Sequence, residues 1–142
     1  MRLPPVLLSA IWLLGFGTVC TRPLWAAELT MRQGGVLVRL AFDHKVRHIK
    51  NRGGYGLDSN PADFDSRYYH YGVLGTWSAD SASSVLGFFA VNRLTAEVWD
   101  TYAECRKVTF PALRAMQQRY RRLYDLPDPR AIADPDRRPR LC

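Results

Sequence analysis

The chain has 142 residues, with 20 Lys and Arg against 13 Asp and Glu, a formal charge of +7, and 47% hydrophobic residues. One domain is the most that this length allows. The basic excess favours anionic neighbours such as cell-wall polymer, lipid headgroups or an acidic protein face, and does not point to nucleic acid.

The first 26 residues read as an address rather than as structure. Met1-Arg2 is a positive start, Val6 to Val19 is an uncharged apolar run, and PLWAA at Pro23 to Ala27 supplies small residues for cleavage. The run is short of the roughly 20 apolar residues that a spanning helix needs, so residues 1–26 are expected to be a secretory signal peptide. Membrane contact is expected only through this segment, and only if it is kept. Cleavage removes Arg2 and Arg22, lowers the charge to +5, and sends the chain to the periplasm or the exterior. It also leaves two cysteines, Cys105 and Cys142, which an oxidising compartment is expected to join as a disulfide.

Residues 27–126 then form one α+β domain, and residues 127–142 a Pro- and Arg-rich tail. Glu28 to Lys50 carries two patterns: Leu37, Leu40, Ala41, His44 and His48 recur at helical spacing, while Val36, Val38, Leu40 and Phe42 alternate as in a strand. Its length favours a helix, although Gly34-Gly35 weakens the first turns by about 1 kcal/mol each relative to Ala. Asn51 to Asp65, rich in Gly, Asn, Asp and Pro, reads as a loop. Ser66 to Trp77, with Tyr68, Tyr69, Tyr71 and Val73, suits a strand.

Ser78 to Ser84 is a small polar connection. It leads to two apolar runs, Val85 to Val91 and Val98 to Tyr102, which flank the polar Asn92 to Glu97 and so write a hairpin with a longer loop. Both of its faces are apolar, so flanking segments must cover it. Thr109 to Leu126 is the clearest helix: Thr109 is placed to cap it, Pro111 fits its first turn and Pro127 stops it. Leu113, Met116, Tyr120, Leu123 and Tyr124 make its apolar stripe, with Arg114, Gln117, Gln118, Arg121 and Arg122 on the other side. The architecture expected is an N-terminal helix, a three-stranded antiparallel meander, and a C-terminal amphipathic helix packed on the sheet.

Catalytic and metal motifs are poorly supported. His44 and His48 have the spacing of a two-histidine metal site, but the glutamate that a zinc hydrolase places between them is absent, and Lys45 and Arg47 lie there instead. The serines are not in a G-x-S-x-G context, and Gly53-Gly54-Tyr55-Gly56 is not followed by Lys-Ser/Thr. No cofactor or metal is expected. What stands out is binding character: Arg114, Arg119, Arg121 and Arg122 on the last helix, and Tyr69, Tyr71 and Trp99 on the sheet, are of the types that dominate binding hot spots.

The run FFAVNRLTAEVWD, Phe88 to Asp100, resembles the closing hairpin of small exported bacterial domains of the PepSY kind, with Ala96 where those turns have Gly. The longer order of aromatic strand, hairpin, Cys and Pro-led helix is similar to exported bacterial envelope proteins. That resemblance implies an envelope location and a non-catalytic role. The expected function is therefore that of a non-enzymatic exported binding protein, in its specific form an inhibitor or immunity-type protein with a protein or anionic envelope partner. The competing reading is a small envelope hydrolase using His44, His48 or His70 with Asp43 or Asp100.

Overall fold

Thr30 opens the first helix with a reciprocal cap. Its hydroxyl accepts from the Gln33 amide at 3.3 Å, and the Gln33 side-chain oxygen accepts from the Thr30 amide at 2.7 Å. The computed structural model describes residues 27–50, 53–60, 67–77, 82–102, 104–132, 138, 139 and 142. The expected signal segment lies outside them, as do Ser66, Ser78 and Ser81.

Helix α1 spans Met31–Val46, which decides for the helical pattern of this stretch against the alternating one. It buries Leu37, Val38, Ala41, Phe42 and Val46 against Tyr71, Val73, Phe89, Val91 and Val98 of the sheet. Phe42 sits at the centre, edge-on to Tyr55 at 4.7 Å and to Phe89 at 6.4 Å between ring centroids. Each such side chain contributes about 1.5–3 kcal/mol by leaving water.

The sheet has five antiparallel strands in sequential order: β1 (Tyr55–Asn60), β2 (Tyr68–Gly75), β3 (Ser84–Asn92), β4 (Val98–Asp100) and β5 (Arg106–Lys107). The α+β class is as expected, but the meander is longer than three strands by one at each edge. Part of the expected loop at 51–65 is the edge strand β1. Its composition of Gly, Asp and Asn hides a period of two, in which Tyr55, Leu57 and Ser59 alternate with Gly56, Asp58 and Asn60 and pair with β2. Strand β5 has two charged residues and no apolar pattern; its pairing with Trp99 and Asp100 makes it a strand. Between β2 and β3 the register shifts, pairing Val73 with Gly87 but Leu74 with Val85. Leu86 is the extra residue of this bulge, and it is buried in the core.

Helix α2 spans Pro111–Tyr124 and meets the core through Leu113, beside α1 and the β3–β4 turn. Two local expectations are corrected here. Thr109 does not cap it; the N-cap is Phe110, with no side-chain bond, and Thr109 instead accepts from Arg114 at 3.4 Å. The inward stripe is also rotated: Leu123 is 60% exposed, whereas Gln117 is buried. Helix α2 ends at Asp125, which is left-handed (φ 51°), before Pro127 is reached.

Beyond α2, Leu126 joins the core, Pro129 and Ile132 line a small cavity with Tyr68 and Leu94, and Pro139 is fully buried. The Cys105–Cys142 disulfide forms as expected, with Cα atoms 5.5 Å apart. Closing its 37-residue span is worth up to about 4 kcal/mol in the chain-entropy account.

Candidate functional site

Alternation along β2 sends Tyr69, Tyr71 and Val73 toward α1, and Tyr68 and His70 to the opposite face. The expected aromatic binding surface is therefore divided. Tyr71 is only 3% exposed, and its hydroxyl donates to the Met31 carbonyl at 2.6 Å, so it belongs to the helix–sheet seam rather than to a surface. Burial pushes its phenol well above the usual tyrosine range, and the neighbouring Tyr69 adds to this. Tyr69 is half-buried under the Arg93 guanidinium, 5.4 Å from its ring centroid. Trp99 pairs with Ala90 on the far side of the sheet, half-buried, and its indole N–H has no acceptor among the described residues.

The arginines of α2 also separate into two kinds. Arg119 and Arg122 are exposed, and Arg114 is exposed apart from its contact with Thr109. Arg121 is half-buried and donates to the Thr95 carbonyl at 3.1 Å, next to Gln117, whose amide donates to the Ala96 carbonyl at 2.9 Å. These two side chains clamp the β3–β4 turn. The turn needs holding: Ala96 has φ 62°, the left-handed region that Gly enters freely and Ala does not. Inside it, Glu97 is nearly buried and is bonded by the Thr95 hydroxyl and the Lys107 ammonium. An open hollow of about 460 Å³ beside Arg121 and Arg122 is also lined by Asp125 and Asp128, so its charge is mixed.

His70 is not brought together with the other residues of the hydrolase reading. His44 stacks on Phe110 with centroids 3.8 Å apart, His48 is exposed, and Asp100 is paired with Lys45 at 2.5 Å. His70 lies across the sheet from all of them. Among the described residues no group of three His, Cys, Asp or Glu side chains is gathered. No helix of these residues is long and apolar enough to cross a membrane.

A groove that sequence reasoning missed runs between α1 and the edge strand β1. It encloses about 500 Å³ and is lined by Met31, Arg32, Val36, Arg39, Leu57 and Ser59, with Gly35 and Tyr71 at its base. Arg32, Val36 and Arg39 are exposed, and among the described residues no acidic side chain lines it. Its outer wall is backbone. The Thr76 amide donates to the Gly54 carbonyl at 3.3 Å, which fixes the phase of the antiparallel ladder. From that pair, Gly56, Asp58 and Asn60 bond to β2, and Leu57 and Ser59 turn their N–H and C=O toward the open edge. Among the described residues no strand pairs with that edge. The signal was present as i, i+4, i+7 spacing of Arg32, Val36 and Arg39 on one helix face, but it gains meaning only once β1 is known to be a strand.

No protein-family model matches the chain, and no curated protein matches it. A solved chain from Pseudomonas protegens, from the structure of a type VI secretion system effector-immunity complex, shares the fold. Its TM-score is 0.56 at 21% identity, over 72% of this chain and 82% of that one.

Proposed function

We propose that this chain is an exported protein-binding protein of the immunity type, one that occupies and blocks a protein partner in the bacterial envelope. The observation that carries this reading is the shared fold, spanning most of both chains, with a chain of an effector-immunity complex. The signal-like first 26 residues and the Cys105–Cys142 bond support the envelope as the place of action. The purified chain, used as bait in envelope extracts, is expected to retain one saturable protein partner and to abolish that partner's activity at one-to-one stoichiometry. If the exported chain, expressed alone, instead arrests growth, it stands on the toxic side of such a pair and the reading is overturned.

A further inference from the structure

We infer that the α1–β1 groove takes an extended, acidic segment of a partner protein, which adds to the sheet along β1. The inference rests on the protein-binding reading above and names its surface. Three features of one place support it. Leu57 and Ser59 direct their backbone N–H and C=O outward at the edge of the sheet, the arrangement that accepts an added strand. The lining beside that edge includes apolar groups, Val36, Leu57 and the carbon frame of Met31, and so suits alternate side chains of an extended peptide. Above it stand Arg32 and Arg39, both exposed. Arg39 is held over the Tyr55 ring, 5.7 Å from its centroid, with its guanidinium available to a carboxylate.

Charge selects the occupant. Among the described residues the groove has two guanidinium groups and no lining carboxylate, whereas the hollow at the end of α2 sets two aspartates against its arginines. A segment with carboxylates spaced to meet both arginines gains two charge-assisted contacts while its backbone extends the ladder. A basic segment is repelled by both guanidinium groups.

The test uses the disulfide-bonded chain and two synthetic heptapeptides, one alternating Glu with Thr and Val, the other with Lys in place of each Glu. In amide NMR spectra the acidic peptide is expected to shift Leu57, Ser59 and their neighbours, with an affinity that falls about tenfold as salt rises from low to high. The lysine peptide should leave them in place. R32E/R39E is expected to abolish the shifts. Ser59→Pro should weaken them by removing one outward amide at an edge position, where proline is tolerated. Equal response to both peptides, response to neither, or binding that survives R32E/R39E overturns the groove. Envelope capture separates the two claims: a partner retained equally by wild type and R32E/R39E leaves the binding function standing and removes the groove. Absence of any saturable partner removes the function itself.

Discussion

Gly34 and Tyr71 are fitted to each other: a Cβ built on Gly34 collides with the Tyr71 hydroxyl and lies 3.2 Å from its Cζ. The glycine that weakens α1 as a helix lets α1 approach the sheet closely enough for that hydroxyl to reach the Met31 carbonyl. Helix propensity alone favours Gly34→Ala by about 1 kcal/mol. The collision is expected to reverse this to a net loss of about 1–3 kcal/mol. Adding Tyr71→Phe removes the obstructing oxygen, so denaturant unfolding of the four-member cycle should show coupling of about 1 kcal/mol or more. Strict additivity would mean that the two residues are independent.

The same tyrosine makes the fold sensitive to alkali. Its folded phenol ionises at higher pH than the unfolded one, chiefly because it is buried, so the folded state holds the proton more tightly. The stability this provides is complete below about pH 10, the unfolded value, and is lost as pH rises from there through the folded value. Unfolding free energy is expected to fall by up to about 1.4 kcal/mol per pH unit in that window from this group. Tyr71→Phe should flatten the slope there.

Ala96 is held with φ 62° at a turn where Gly meets no steric penalty. Its amide donates to the Asn92 carbonyl and its own carbonyl accepts from Gln117, so the backbone has no room to relax. Ala96→Gly is expected to stabilise the fold by about 0.5–1 kcal/mol, the relief of left-handed strain exceeding the entropy that glycine adds to the unfolded chain. A lower melting temperature would contradict this.

Arginines of α2 that look equivalent in sequence should behave differently. Arg122→Glu and Arg114→Glu alter exposed side chains and should change stability by no more than about 0.5 kcal/mol. Arg121→Glu and Gln117→Leu each strip a donor from a turn carbonyl, and each should cost about 1–3 kcal/mol. Thermal unfolding of the four single variants ranks them directly.

That contrast shows how far the sequence could be read. The apolar runs around Asn92 to Glu97 specified the hairpin, because two β-prone runs flank one short polar connection. Pro111 located α2 to within two residues. What could not be read was which way α2 is turned about its axis. Leu123 has the hydrophobicity for the core, but Gln117 has the shape and donor that the Ala96 carbonyl requires, and a buried unpaired carbonyl costs more than an exposed leucine. Tyr69, Tyr71 and Trp99 looked like one surface because composition carries no phase. Strand alternation sends two of them under α1 and the third to the far side. Strand β1 was obscured for a related reason: its residues are ordinary turn formers, and only the partner strand β2 selects their extended conformation.

The open edge of β1 has one more consequence, for the protein in the company of its own copies. Two molecules meeting edge to edge would bring Arg32 and Arg39 of each toward those of the other, since these side chains overhang the same groove. Like charges so placed keep unpaired strands apart, as charged residues do along many natural sheet edges. The guard is electrostatic and therefore weakens as ions screen it. The protein should stay monomeric in dilute buffer and self-associate as salt is raised, and Arg32→Ser/Arg39→Ser should do so even at low salt. Sedimentation that is indifferent to both changes would assign the guard to another part of the molecule.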